Sequence, residues 1–180
     1  LSSLKASISK LLSEKESPVL DDYIPFSNFK VQIIIRQDNS RVVEIARANG
    51  ARMTEASLIT LLNKDRVLGM VCKNQFDNVL GFMIYELKKE HYELLYFMVD
   101  PKHCKNGVGT AMLNKMKSKI TEKRNEFTIM LRESNLNGQV FLRKHGCKAI
   151  KIARNFFEDT GEDGYFFQYT HKVRNLSETL

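Results

Sequence analysis

The sequence predicts an α/β domain, on two observations. Apolar runs rich in strand formers alternate with segments whose apolar residues recur at helical spacing. The most strongly patterned stretch, Leu94 to Ile120 (LLYFMVDPKHCKNGVGTAMLNKMKSKI), joins one of each through a glycine turn. Leu94 to Val99 reads as a buried strand, ended by Asp100-Pro101 because proline cannot donate to a sheet ladder. From Thr110 a helix presents Ala111, Met112, Leu113, Met116 and Ile120 on one face and lysines on the other. Strand, Gly107-Val108-Gly109 and helix in that order leave free backbone N–H groups at a helix start. That is an anion site suited to phosphate.

The other elements follow in order. Residues 1–29 read as an extension, with a short amphipathic helix through Leu4, Ile8, Leu11 and Leu12 that Ser17-Pro18 ends. The domain proper is expected over 30–174, with a tail at 175–180. Phe29 to Arg36 is β-rich and forms the first strand. Asp38-Asn39-Ser40 caps a helix from Arg41 to Ala48, with Ser40 or Asn39 as acceptor and Val42, Ile45 and Ala46 inward. Asn49-Gly50 stops it. Thr54-x-x-Ser57 opens a second helix that buries Leu58, Leu61 and Leu62. Arg66–Lys73 and Val79–Leu87 read as a hairpin. Beyond the glycine loop come a strand, Glu126 to Leu131, and a helix from Ser134-Asn135 to His145 with Gly146 after it. Cys147–Ala153 and Tyr165–His171 form a last strand pair.

Composition narrows the class. The chain has 180 residues, 43% of them hydrophobic, enough for one domain with a real core. Mean hydropathy is −0.32, and no apolar run approaches the roughly 20 residues of a membrane helix. Residues 1–20 mix lysine, serine and glutamate with the apolar positions and do not read as a signal peptide. The three cysteines are scattered without metal-ligand spacing, so they read as reduced thiols of a cytoplasmic protein that holds no metal. A net charge of +7, concentrated between Lys102 and Arg154, favours an acidic ligand. No RNA-binding motif with interleaved aromatics accompanies it.

Two phosphate fingerprints fail at the glycine loop. A dinucleotide site needs a third glycine where Met112 stands, and a P-loop needs a lysine between Gly109 and Thr110. Val99-Asp100-Pro101 followed by Cys104-Lys105-Asn106-Gly107-Val108-Gly109 instead resembles the acetyl-CoA pyrophosphate loop of the GNAT acetyltransferases, written R/Q-x-x-G-x-G/A after V-x-P. Cys104 replaces the usual Arg or Gln. Arg132-x-Ser134-Asn135 with Phe141 to Gly146 (FLRKHG) resembles the family's R-x-S-N…L-Y-E-K-L-G-F segment. Asn155-Phe156-Phe157 with Gly161-Glu162-Asp163-Gly164-Tyr165 resembles the ending of N-terminal amino acetyltransferases, in particular the RimI-like ribosomal-protein-alanine branch.

The resemblance covers about Val31 to His171. It implies the GNAT fold: a central mixed, mostly antiparallel sheet, splayed at the acetyl-CoA site and flanked by helices. It also implies an enzyme moving acetyl from acetyl-CoA to a primary amine, here a protein N-terminal α-amino group, with a ribosomal protein as a possible partner. Donor contacts carried over are the backbone of Phe97, Met98 and Val99, the loop Lys105, Asn106, Gly107, Val108, Gly109 and Thr110, and the side chain of Asn135. Phe156, Phe157 and Tyr165 would bind the acceptor.

The proton-handling pair does not carry over. Met130 takes the place of the family's base Glu, and Leu142, beside Phe141, that of its acid Tyr. Direct attack still needs a group to take the proton of an ammonium whose free pKa is about 8. Tyr96, Glu93 and Glu86 are the candidates, with Tyr96 expected on the strand face opposite Leu95. Two alternatives stand beside the leading reading: a degenerate module that binds acetyl-CoA without turnover, and an acetyltransferase for another amine such as aminoacyl-tRNA.

Overall fold

The computed structural model of the chain describes residues 29–171. The expected N-terminal helix, its following loop and the C-terminal tail lie outside them. Seven strands form one open mixed sheet in the order β1-β2-β3-β4-β5-β7-β6. They are β1 (Lys30–Ile33), β2 (Val67–Lys73), β3 (Val79–Leu87), β4 (His91–Val99), β5 (Glu126–Arg132), β6 (Lys148–Phe157) and β7 (Glu162–Thr170). Among the described residues four helices flank it: α1 (Asn39–Ala48), α2 (Glu55–Leu62), α3 (Val108–Lys117) and α4 (Leu136–Lys144). Every strand pair is antiparallel except β4 with β5. Among the described residues no helix is long and apolar enough to cross a membrane.

Each face of the sheet has its own core. On the first face α3 and α4 bring Val108, Met112, Leu113, Met116 and Leu142 onto Met83, Tyr85, Tyr92, Leu94, Phe127, Ile129 and Phe167. On the second, α1 and α2 bring Val42, Ile45, Ala46 and Leu58 onto Val71, Phe82 and Ile84, with Tyr96 and Met98 at its margin. No residue of β5, β6 or β7 belongs to that second cluster. Among the described residues, half of the second face is therefore left without a helix. Phe82, Phe127 and Phe167 are fully buried, and truncating any of them to alanine would cost roughly 3–5 kcal/mol.

Several local expectations need correction. The first strand stops at Ile33 instead of Arg36. A 3₁₀ turn, Arg36–Asp38, follows, because the Asp38 carboxylate accepts the Ile35 N–H at 3.1 Å and bends the chain out of the sheet. Neither Asn39 nor Ser40 caps α1; Asp38 precedes the helix and is committed to Lys73 instead. Thr54 and Ser57 do form the expected reciprocal cap, but only Leu58 of α2 is fully buried, with Leu61 and Leu62 half-buried. The helix after the glycine loop begins at Val108, two residues early, because Gly107 takes the left-handed cap position. The last hairpin is longer than expected: β6 runs on through Arg154 to Phe157 and β7 starts at Glu162, with the pairing broken between Ala153 and Phe157, where Asn155 sits at φ +48°.

The most consequential difference is at β4. A register shift between Ile84 and Tyr85 pairs Tyr96 with Ile84 and Leu94 with Tyr85, leaving Leu95 as an extra residue. Such a bulge reverses the face on which later side chains fall. Tyr92 and Leu94 pack on the first face before it, and Phe97 and Val99 after it. Tyr96 consequently shares the second face with Leu95 instead of opposing it.

Candidate active site

The sheet forks where β4 and β5 part. Their parallel pairing runs from His91 with Glu126 to Leu94 with Ile129 and then ends. Beyond it β4 continues against β3 to Val99, and β5 against β7 to Arg132. The Asp100 N–H donates to Leu80 C=O at 2.8 Å, which fixes the hydrogen-bonding parity of β4. Residues 96, 98 and 100 turn their backbone groups to β3, and Phe97 and Val99 turn theirs into the fork. Val99 C=O is taken by Asn49 Nδ2 at 3.0 Å. The Phe97 and Val99 N–H groups are the donors the fork offers, while Met98, grouped with them on sequence, faces β3.

The glycine loop sits at the first-face mouth of this fork. Gly107 has φ +87°, a left-handed conformation that a side chain disfavours by about 1–2 kcal/mol. Lys105, at φ +66°, is held there too. The first helical bond is Ala111 N–H to Gly107 C=O at 2.9 Å, so the N–H groups from Gly107 to Thr110 precede it and point outward. Val108 turns its side chain into the core, leaving only its backbone available. From Pro101 to Thr121 there is no carboxylate, whereas Lys102 and Lys105 lie in the loop. Cys104, exposed at the motif's first position, rests its Sγ 3.6 Å from Asp100 C=O.

An aromatic wall closes the loop's other side. The Phe141 ring would lie 3.3 Å from a Cβ at Gly109, and it pairs with Phe97 at 6.0 Å and His145 at 4.3 Å. His145 Nδ1 lies 2.9 Å from Phe141 C=O, which can only accept, so the partners assign the proton to Nδ1. In the neutral ring Nε2 then accepts the Thr110 hydroxyl at 3.2 Å. Sequence reasoning missed His145: the contact exists only because the end of α4 meets the start of α3. Leu142 is 2% exposed in the first core, so the residue that α4 turns toward the loop is Phe141. Asn135 uses its side-chain oxygen to cap α4, accepting Gly138 N–H at 2.9 Å, which leaves its amide nitrogen for a ligand.

The second-face mouth holds the candidate proton-handling groups. Tyr96 stands at the fork with its ring 6.4 Å from Phe82. Glu93 and Glu86 face each other across β3 and β4, and Lys88 Nζ bridges them at 3.1 and 2.8 Å. The three are brought to one face. Met130, cross-strand from Phe166, opens onto the same side. The three expected acceptor contacts are not brought together. Phe156 and Phe157 pair edge-to-face at 5.2 Å, while Tyr165 packs on the first-face core.

Arg132 fastens the β6–β7 turn over the end of β5. Its guanidinium meets Asp159 at 2.9 and 2.8 Å, Glu162 at 3.1 Å and Thr160 at 2.7 Å, and lies 4.1 Å from the centre of the Phe157 ring. Asp163 accepts the Asn155 N–H at 2.9 Å and pairs with Arg154. The G-E-D run is thus a set of ties that shape the turn. Glu162 is held down at about 2 by its hydrogen bonds from Ser134 and Thr160 and by Arg132. A carboxylate with a depressed folded value contributes stability above its unfolded value of 4.5 that is lost as pH falls through about 2. Acid titration should therefore loosen the turn between those limits, and Glu162→Gln should flatten that part of the profile while leaving pH 7 to 9 unchanged. Equal acid profiles for the two proteins would contradict this.

The family model for the acetyltransferase (GNAT) family matches residues 26–157. The chain belongs to the GNAT acetyltransferase family. Its fold is shared with the ribosomal-protein-S18-alanine N-acetyltransferase from Escherichia coli, at TM-score 0.68 and 17% identity over 82% of this chain and 98% of that one. Ard1 from Thermoplasma volcanium aligns at TM-score 0.72 and 20% identity, covering 81% and 99%. A GNAT family acetyltransferase from Elizabethkingia anophelis with acetyl-CoA bound aligns at 0.64 and 16%, covering 81% and 99%. No curated protein sequence matches the chain significantly. GNAT enzymes take acetyl-CoA as co-substrate, and the loop described here has the donors and the absence of carboxylates that its pyrophosphate requires. Cys72 and Cys147 are free thiols pushed by burial up to about 12 and about 11, which makes them poor nucleophiles.

Proposed function

We propose that this GNAT chain transfers acetyl from acetyl-CoA to a protein N-terminal α-amino group. The fork carries the reading: one mouth offers unpaired backbone donors and a carboxylate-free helix start, the other an aromatic-lined half-sheet that no helix covers among the described residues. A donor bound at the first mouth and an amine entering at the second would meet between β4 and β5. Lys105 to Thr110 would hold the pyrophosphate, and Asn135 Nδ2 the pantetheine arm. The Phe97 and Val99 N–H groups, about 7 Å apart along one strand edge, would serve separate acceptors, one the thioester oxygen and the other the pantetheine arm. Acetyl-CoA supplies the activated acyl group. The chain's own task is then to orient the amine and take its proton.

Tyr96 is the group nearest the fork on the acceptor side, with the Glu93–Glu86 pair behind it. As the amide C–N bond forms and the thioester C–S bond breaks, the amine proton would pass to the Glu93 carboxylate through water or through the Tyr96 hydroxyl as a relay, and CoA would leave as a thiolate that takes a proton from water. Removing such a group costs on the order of 10²–10⁴ in rate without abolishing catalysis by proximity. Tyr96→Phe is expected to lower kcat for peptide acetylation by about 10²-fold with little change in the KM for acetyl-CoA. A variant within threefold of the parent would remove Tyr96 from the mechanism.

The deciding experiment is single-turnover transfer from acetyl-CoA to peptides with free α-amines, beside Nα-blocked lysine peptides, spermidine and aminoacyl-tRNA. The N-terminal reading expects the first to react fastest. Tight acetyl-CoA binding with no transfer to any acceptor would leave a donor-binding module, the outcome in which Met130 and Leu142 reflect lost chemistry.

A further inference from the structure

The half of the second face that no helix covers among the described residues has a defined composition. Alternation from Phe127, Ile129 and Phe167, all first-face residues, places Thr128, Met130 and Arg132 of β5, and Gly164, Phe166 and Gln168 of β7, on the bare side. Cross-strand pairing adds Lys148, Lys151 and Ala153 of β6. Phe156 joins them: a Cβ at Gly164 would lie 2.8 Å from Met130 Sδ and 3.1 Å from Phe156 Cβ. Only glycine lets the thioether and the ring close over this point. The Phe156 ring, 48% exposed, stands edge-on to Phe166 at 6.3 Å and to Phe157 at 5.2 Å. The result is an accessible apolar pad beside the acceptor mouth of the fork.

Its edges are cationic. Lys151 Nζ sits 5.6 Å from the Phe166 ring centre and Arg132 4.1 Å from that of Phe157. Arg132 is neutralised by Asp159 and Glu162, whereas among the described residues no carboxylate pairs with Lys151. Phe156 and Phe166 carry no group that could hydrogen-bond a serine or threonine hydroxyl, and the Met130 thioether is only a weak acceptor.

We propose that this pad selects the first residue of the acceptor: a large, unbranched or γ-branched apolar side chain, methionine or leucine, over alanine, serine or lysine. The inference rests on the N-terminal reading above and names the substrate class for it. A methionine side chain buries several more methylene equivalents than alanine, each contributing about 0.8 kcal/mol when fully buried. Partial exposure of Phe156 reduces this, and a 10- to 100-fold preference is the expected outcome. A lysine side chain would be repelled by Lys151 and would leave its own ammonium over the rings without a carboxylate.

The test is kcat/KM for peptides identical except at residue one (Met, Leu, Ala, Ser, Lys), with an Nα-blocked lysine peptide and spermidine alongside. Met and Leu peptides should exceed Ala and Ser peptides by tenfold or more. Phe156→Ser should shrink that ratio to within about threefold, chiefly through peptide KM, while the KM for acetyl-CoA stays put. Phe156→Leu, which keeps an apolar surface, should retain most of the preference. Equal or better use of Ala and Ser peptides overturns the proposal, as does a ratio indifferent to Phe156→Ser. Acetylation of only spermidine or the blocked peptide would instead defeat the N-terminal reading, and the proposal with it.

Discussion

Replacing Lys73 with methionine is expected to lower the unfolding free energy by about 3–5 kcal/mol. The Lys73 side chain is 3% exposed, and its Nζ lies 2.8 Å from Asp38, whose side chain is 5% exposed. A second contact, to Asp77 at 3.2 Å, is at the surface. Burial works to lower the Lys73 value, but the hydrogen bonds and charges of Asp38 and Asp77 outweigh it and hold the lysine above its ordinary range. Methionine fills a similar volume, so the loss is not one of packing. What remains is a buried Asp38 carboxylate with a single donor, the Ile35 N–H. For a domain of this size the loss corresponds to a fall in Tm of roughly 6–20 °C. Two controls isolate the cause. Asp77→Asn, at an exposed partner, should cost less than about 1 kcal/mol. Adding Asp38→Leu to Lys73→Met should recover most of the loss, because removing both charges removes the uncompensated one. A single variant that melts within 2 °C of the parent, about 1 kcal/mol or less by the same conversion, would mean that water reaches Asp38 freely.

The pair has a functional consequence through position. Asp38 begins α1, and at the far end of that helix Asn49 reaches Val99 C=O at the fork. Between them Arg41 pairs with Asp100, at the end of β4. Burial raises Asp100, but the Lys102 N–H, Arg41 and His103 outweigh it and keep it ionised below the ordinary carboxylate range. Asp38, Arg41, Lys73, Asp77 and His103 line a cavity of about 610 Å³ between the β2–β3 hairpin and the start of the glycine loop. The cations there are already matched to carboxylates. The Arg41–Asp100 pair and the Asn49 bond to Val99 tie α1 to the end of β4, where the glycine loop begins.

How much of this was legible in the sequence depends on the range of the interaction involved. The glycine loop was, because left-handed backbone and free helix-start N–H groups are properties of consecutive residues. So were the α1 core positions Val42, Ile45 and Ala46, which repeat at the helix period. The Leu95 bulge was not: it is a mismatch between two strands, and neither strand alone records it. It moved Tyr96 to the face shared with Glu93 and Glu86. The same limit separated Tyr165 from Phe156. Read as one motif they look like one surface, but they stand on opposite faces of the hairpin. The Lys73–Asp38 pair and the Thr110–His145 contact are 35 residues apart in each case, and no local pattern announces them.

Gly107 offers the strongest test of the donor site. Gly107→Asn and Gly107→Asp present side chains of nearly equal size and similar tolerance for φ +87°, so comparing them isolates one negative charge. Gly107→Asn should bind acetyl-CoA within about tenfold of the parent, the penalty being strain of about 1–2 kcal/mol that is present with or without ligand. Gly107→Asp places a carboxylate among the N–H groups meant for pyrophosphate. Two unit charges about 5 Å apart repel by roughly 3 kcal/mol at an effective dielectric constant near 20, so affinity should fall by a further 10²-fold or more. Loss of fold cannot mimic this, because a carboxylate at a helix N-terminus stabilises the free protein and the Tm of the aspartate variant should equal or exceed that of the asparagine variant. The difference in acetyl-CoA affinity should also shrink as salt is raised, since the repulsion is between partly exposed charges. Calorimetric titration of both variants at low and high salt, with a thermal melt of each, measures all three quantities. If Gly107→Asp binds acetyl-CoA as well as Gly107→Asn does, the pyrophosphate does not sit at this helix start, and the fork loses its donor.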